Sequence, residues 1–278
     1  MNYFFCVITP VIIYVLLNVI IVKMVLSMDR WIGKVAIVTG AGAGMGAAIS
    51  RALVEHGLQV VGLDNREEKI DDLSQQLIGK KGKLHPVRAD LTKEEDILEA
   101  FKWVKDNLGP VHILINNAGA LKLGNLSDGD TQSWKQMLDV NVLGLCIATR
   151  EAVKSMKENS ADGHIIHINS IAGHKVSNVP CLNIYPATKF AVTALTESLR
   201  LELNSVEPKI KITSISPGAT KTEILKTDSD HRNNPQPLKG FKILLQAEDI
   251  ADAVTYVLST PPHVQIHELT IKPIKEEY

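Results

Sequence analysis

Cysteine is scarce in this sequence: three among 278 residues, at positions 6, 146 and 181. Thiols so few and so widely spaced make neither a disulfide framework nor a metal knuckle, and a reducing compartment suits them. An excess of either charge is also missing, with 30 basic residues against 31 acidic ones and a net charge of −1. The two signs are mixed along the chain, which leaves no footprint for a nucleic-acid partner. Repeats and low-complexity tracts are absent beyond the N-terminal segment. With 45% hydrophobic and 22% charged residues, the chain can bury a full core, and disorder is excluded as its general state.

Long hydrophobic runs are missing too, with one exception. Residues 3–22 carry no charge and are broken only by Thr9, Pro10 and Asn18, which is long enough to cross a bilayer as a helix. No basic residue precedes this run and no clear small-residue cleavage site comes after it, which argues against a cleaved signal peptide. Lys23, Arg30 and Lys34 lie just downstream and would keep the folded domain on the cytoplasmic side. The competing expectation is that Met28 is the true start, because "MDRWIGKVAIVTG" reads as a complete beginning of a soluble domain. The expected organisation is a segment 1–27, membrane anchor or spurious extension, ahead of one cytoplasmic domain over 28–278.

From Lys34 onward short apolar runs alternate with longer helical patterns, which predicts βαβ units around a parallel sheet. Strands are expected at 35–39, 59–64, 83–88, 111–116, 164–169, 210–216 and 265–271. Helices are expected at 44–56, 66–77, 93–108, 131–157, 184–204 and 247–258. The fold class is therefore α/β, a single-domain Rossmann-like doubly wound parallel sheet of about seven strands. Thr92-Lys93-Glu94-Glu95 has the pattern of a capping box. The irregular stretch 220–245 is expected to be a lid or substrate loop over the ligand crevice.

Glycine is not scarce but concentrated. "TGAGAGMG", residues 39–46, comes after the first strand and opens the first helix. Such a turn lets backbone approach a dinucleotide pyrophosphate, while the helix N-terminus offers free amides and a positive dipole end. Gly40, Gly44, Met45 and Gly46 are the candidates here. Asp64 closes the second strand about twenty residues later, where an acidic side chain can bind an adenosine ribose. Its charge would repel a 2′-phosphate and so favours NAD; Arg66, two residues on, keeps NADP as the alternative.

Tyr185 and Lys189 stand four apart at the start of a helix, on one face, where an ammonium favours the phenolate and makes tyrosine usable as a general acid/base. Ser170 ends the fifth strand, where its hydroxyl can bond a substrate oxygen. His164 and His167, three apart on a strand, face opposite sides and are not expected to share a metal. No metal site is expected.

The ordered set Thr39-Gly40, Gly44, Gly46, Asp90, Asn116-Asn117-Ala118-Gly119, Asn141, Ser170, Tyr185, Lys189 and Pro217-Gly218 resembles the short-chain dehydrogenase/reductase family over nearly all of 34–274. The phrases "INSIAGHKV", "YPATKFAVTALTESLR" and "VLSTPPHVQIHELTIKP" are similar to its insect farnesol dehydrogenase-like members. The resemblance implies that Tyr185 exchanges a proton with substrate, that Lys189 lowers the Tyr185 pKa and binds nicotinamide ribose, that Ser170 orients substrate and that Asn141 holds a relay water. It implies that Asp90 and the neighbouring Leu91 serve adenine, that Asn117, Ala118 and Gly119 line the adenosine side, and that Pro217, Gly218, Thr220 and Thr222 face nicotinamide and phosphate. The implied substrate is a small apolar alcohol or carbonyl compound such as farnesol, with a steroid or retinoid-like carbonyl as the alternative. Cys181, Leu182 and Ile184, with Ile224 and Leu225, would suit an apolar pocket. A protein that binds cofactor without turnover is the reading from another class, and the complete Ser170, Tyr185 and Lys189 set argues against it. Phe190, Val192, Leu195 and Leu199 are read as packing, and by resemblance against a second copy in a homodimer or homotetramer.

Overall fold

The computed structural model describes residues 26–176, 179, 181–205, 207–225 and 243–276. The expected membrane segment 3–22 and most of the expected lid, 226–242, lie outside the described residues.

Seven strands form one sheet: β1 (Val35–Thr39), β2 (Gln59–Asp64), β3 (Lys83–Arg88), β4 (Val111–Asn116), β5 (Gly163–Ile168), β6 (Ile210–Pro217) and β7 (Glu268–Ile271). Their spatial order is β3-β2-β1-β4-β5-β6-β7, and each neighbouring pair runs parallel. The order reverses between β1 and β4, so their C-terminal ends open a crevice where such sheets hold ligand. The helices are α1 (Gly44–Glu55), α2 (Glu67–Gln76), α3 (Glu94–Asn107), α4 (Thr131–Leu138), α5 (Leu145–Glu158), α6 (Tyr185–Leu203) and α7 (Ala247–Ser259).

The central strands β1, β5 and β6 are buried along their whole length because both faces are covered. Alternate residues of β1 point to two separate cores. Ala36 and Val38 join Ile49, Leu53 and Val254 beneath α1 and α7. Val35 and Ile37 join Val104, Ala148 and Ala152 beneath α3 and α5. His164 and His167 are both buried, and each is used within the protein: His164 Nε2 pairs with Thr213 Oγ1 at 2.9 Å, and His167 Nδ1 with Thr196 Oγ1 at 2.9 Å. Burial pushes the His167 imidazole down to about 3 and His164 well below its ordinary range, so both are neutral.

Two local expectations are corrected. The single helix expected over 131–157 is two helices joined by a π turn, Asp139–Gly144. At its end a Cβ on Gly144 would lie 2.6 Å from Leu91 O, so glycine lets this turn press against the loop after β3. Periodicity does not register one widened turn, although such turns recur at functional sites. The capping box at Thr92 does not form either. Thr92 Oγ1 donates to Asp90 Oδ1 at 2.8 Å instead, and Lys93 caps α3 without a side-chain bond. A reciprocal capping box does occur, between Gln246 and Asp249 at the start of α7.

Candidate active site

The turn after β1 is sewn to the turn after β4. Thr39 Oγ1 accepts from the Asn117 and Ala118 amides, both at 3.0 Å, and Asn117 Nδ2 donates to Thr39 O at 2.9 Å and Gly40 O at 3.2 Å. Gly40 has φ 66°, and a Cβ there would meet Ala118 Cα at 2.9 Å. A Cβ on Gly46 would collide with Gly40 O. The sequence predicts close approach to a ligand; at Gly40 and Gly46 the group that lies within reach of a Cβ is this protein's own backbone, Ala118 Cα and Gly40 O.

Between these turns lies a cavity of about 380 Å³. The glycine turn contributes Gly40, Gly44 and Met45, β2 contributes Asp64, and the end of β3 contributes Asp90 and Leu91. Asn117, Ala118 and Gly119 come from β4's end, and Thr222 from beyond β6. All ten are sequence-predicted cofactor residues. Among other lining residues, Lys122, Gln136, Val140 and Glu223 carried no motif and escaped the sequence reading.

Asp64 is buried, and both of its oxygens are engaged inside the protein. Oδ2 accepts from the Gly42 amide at 3.0 Å, and Oδ1 from the Arg66 amide at 3.0 Å and Arg66 Nε at 3.3 Å. Arg66 is half exposed at the cavity's rim and also reaches Glu223 Oε2 at 3.3 Å. Burial alone would lower the Arg66 pKa, but its bonds to Asp64 and Glu223 raise it above the usual arginine value.

Helix α6 and the end of β5 bring the catalytic candidates together. Ser170 comes after β5, where its Oγ accepts from the Ala172 amide at 3.1 Å and stands close enough to Tyr185 to lower the phenol's pKa. Lys189 is buried, and its Nζ donates to Ile168 O at 3.0 Å and lies 5.9 Å from the centroid of the Tyr185 ring. Asn141, in the π turn, accepts from the Ala120 amide at 2.7 Å and donates to Ala120 O at 2.9 Å and Thr188 Oγ1 at 3.0 Å. Its side chain thus fastens the β4 loop to α6, and both amide protons are committed.

Burial sets the charges. It pushes the Tyr185 phenol up to about 12, against a lowering by the Ser170 bond, and pulls Lys189 down to about 8. The expected lowering of Tyr185 by Lys189 does not prevail in this arrangement, because desolvation of the phenolate outweighs an ammonium held on a strand carbonyl. At neutral pH the pair is a phenol beside a protonated amine.

Pro217, Gly218 and Thr220 do not line the cavity; they form the turn leaving β6, and Gly218 N donates to Ile271 O at 2.7 Å. Asn116 is structural, its Nδ2 donating to Thr149 Oγ1 at 2.9 Å. Ile224 lines the cavity, whereas Cys181, Leu182 and Ile184 are half-buried in the segment before α6 and do not. That segment is tied to the β4 loop by Gly124 N donating to Cys181 O at 2.9 Å and Asn183 Nδ2 to Lys122 O at 2.8 Å.

A nicotinamide dinucleotide suits this crevice: a glycine cradle that a single Cβ would close, a helix N-terminus, and a tyrosine-lysine pair at the neighbouring strand end. The family model for short chain dehydrogenases matches residues 34–233, and the chain belongs to that family. It is a short-chain NAD(P)-dependent oxidoreductase of alcohols or carbonyl compounds. The farnesol dehydrogenase of Aedes aegypti is 50% identical over 253 residues, covering 90% of this chain and all of that one. Dehydrogenase/reductase SDR family member 11 of Homo sapiens is 46% identical over 255 residues, covering 90% of this chain and 98% of that one. Among solved structures, the closed form of a serine dehydrogenase complexed with NADP+ matches with a TM-score of 0.78, at 30% identity over 88% of this chain and 96% of that one.

Proposed function

We propose that the protein interconverts an apolar isoprenoid alcohol and its aldehyde, farnesol and farnesal being the representative pair, with Tyr185 as general acid/base. The observation that carries this reading is the meeting of Ser170, Tyr185 and Lys189 at the end of β5; none of the three lines the cavity, but Asn141 ties α6 to its wall through Thr188 and Ala120. Likeness to the mosquito farnesol dehydrogenase supports the substrate class.

When bound, the dinucleotide supplies or takes up the hydride. Its pyrophosphate would rest on the turn of Gly40, Gly44 and Met45, its adenosine between Asp64, Asp90 and Asn117, and its nicotinamide ribose near Lys189. Ser170 Oγ would bond the substrate oxygen and present it to Tyr185 Oη. In the reducing direction the phenol donates its proton to that oxygen; in the oxidising direction the phenolate removes the hydroxyl proton. Lys189 Nζ, held on Ile168 O, sets the field in which that proton moves.

For the dinucleotide we favour NADP. Asp64 turns both oxygens toward the amides of its own loop, so it shapes the rim instead of offering itself to a ribose, and Arg66 remains there as a ligand for a 2′-phosphate. The similar serine dehydrogenase structure is itself a complex with NADP+. NAD, the expectation from Asp64 alone, is the second reading, favoured by the two carboxylates that already hold Arg66. A homo-oligomer is supported by α6, where Val192 is buried while Phe190 and Leu201 stay exposed.

Following nicotinamide absorbance with farnesol and each oxidised cofactor tests the reading. Turnover with NADP, lost by a factor of at least about 100 in Tyr185→Phe, is expected. Cofactor binding without oxidation of any alcohol would overturn it in favour of a non-catalytic binding protein.

A further inference from the structure

Ser170 and Tyr185 stand on different elements, and a hydroxyl outside the reacting set fastens one element to the other. Thr193, about two helical turns beyond Tyr185 on α6, donates from Oγ1 to Gly173 O at 2.9 Å and accepts from Asn169 Nδ2 at 2.9 Å. Its own helix offers only a longer contact, to Lys189 O at 3.3 Å. Asn169 is the residue before Ser170, and Gly173 ends the short turn Ile171–Gly173 that comes after it. That turn is closed by Gly173 N donating to Ser170 O at 2.9 Å. One side chain therefore grips both flanks of Ser170.

Two observations set this clasp apart from ordinary packing. A Cβ on Gly173 would lie 2.7 Å from Lys189 O and 2.8 Å from Asn169 Nδ2, so glycine is what lets the turn press against α6. Asn169 is buried, and its Oδ1 finds no partner among the described residues. An orphaned amide oxygen is costly, and leucine would fill the same space without it; the bond from Nδ2 to Thr193 accounts for the asparagine. The proposed reaction needs the serine and tyrosine hydroxyls to meet one substrate oxygen, and a misplacement of about 1 Å costs up to about a hundredfold in rate. We propose that Thr193 is a positioning residue that holds Ser170 in register with Tyr185, acting through Gly173 and Asn169. The proposal rests on the reading of Ser170 and Tyr185 as reacting groups. It adds to that reading a side chain that does not line the cavity and that the tyrosine-lysine spacing does not reveal.

Farnesol oxidation with NADP, followed across pH in the full chain, separates this role from a general contribution to folding. Thr193→Val keeps the shape of the side chain and removes the hydroxyl. Its kcat should fall about tenfold, while the KM for NADP stays nearly unchanged because none of the residues that Thr193 bonds lines the cavity. Ser170 lowers the Tyr185 phenol, so a serine that drifts away should also move the limb of rate that climbs with pH to higher pH. Asn169→Leu, which removes the other half of the clasp, should reproduce both effects. Thr193→Ser, which keeps the hydroxyl, should recover most of the loss. Wild-type kinetics in Thr193→Val, a raised KM for NADP that matches the fall in kcat, or an unmoved pH limb would overturn the proposal. A Thr193→Val chain that no longer binds NADPH would overturn it as well, by making the hydroxyl a requirement of folding. Tyr185→Phe keeps the two failures apart: wild-type turnover in that variant would overturn the reading of the reacting groups, and the proposal with it.

Discussion

Lys189 Nζ stands 5.9 Å from the centroid of the Tyr185 ring and donates a hydrogen bond to Ile168 O at 3.0 Å. The lysine is anchored to the last residue of β5, two positions before Ser170, so its charge is fixed relative to the phenol without being bonded to it. That arrangement makes the electrostatic link dependent on position.

The pH dependence of alcohol oxidation should report this link. Oxidation needs the phenolate, so the rate should rise with pH as Tyr185 loses its proton. Lys189→Met removes the nearest cation and should move that limb to higher pH by about one unit, equivalent to about 1.4 kcal/mol. An unmoved limb in the variant, with only cofactor affinity changed, would confine Lys189 to ribose binding.

Burial holds both Lys189 and Lys211 down to about 8. In the unfolded chain lysine titrates near about 10.4, so between these values the unfolded state binds more protons and stability increases with pH. Tyr185, raised to about 12, opposes this from its ordinary value of about 10 upward, which confines the rise to roughly pH 8–10. Lys211 Nζ sits among Val264 O at 2.8 Å, Thr260 Oγ1 at 3.3 Å and Pro261 O at 3.4 Å, away from the reacting groups. Lys211→Met should flatten the rise by on the order of 1 kcal/mol per pH unit, measured from urea midpoints across that range. Parallel curves for wild type and variant would contradict the buried-cation assignment.

Arg66 is shared between Asp64 and Glu223, each at 3.3 Å. A 2′-phosphate must compete with Glu223 for this guanidinium. Glu223→Gln should therefore tighten NADPH by about two- to fivefold while leaving NADH nearly unchanged, since an exposed ion pair carries up to about 1 kcal/mol. Fluorescence titration of both reduced cofactors gives the ratio, and a constant ratio would remove Arg66 from cofactor choice.

Gly46→Ala should lower stability by about 1–3 kcal/mol, because the new methyl is driven into Gly40 O and the helix must move off the turn. Dinucleotide affinity should fall with it. A variant with the wild type's urea midpoint would show that the turn yields freely.

Much of this architecture was legible before any coordinates. The alternation of apolar runs with helical patterns located all seven strands, most plainly β1 and β2, whose residues are nearly all buried between two helix layers, and least plainly the half-exposed edge strands β3 and β7. Ser170, Tyr185 and Lys189 were legible because the chemistry needs those groups at a strand end and one helical turn apart. Asn141 was singled out in the chain as a site candidate, but not as the clasp that its bonds to Ala120 and Thr188 make it. Gly46 was legible as a glycine position, but not as one that protects contact with Gly40 O.

The order of the elements, the crevice at the strand ends and the candidates for the reacting groups are written into the chain, since each comes from local periodicity and residue chemistry. The charge and company of those groups arise only when the chain is folded. Asp64 faces its own loop instead of outward, Arg66 meets a carboxylate from beyond β6, and Glu276 reaches back to Ala219. Burial moves Tyr185 and Lys189 in directions that a four-residue spacing cannot foretell. Desolvation and long-range pairing depend on what the fold packs around a group, and chain neighbours carry no record of it.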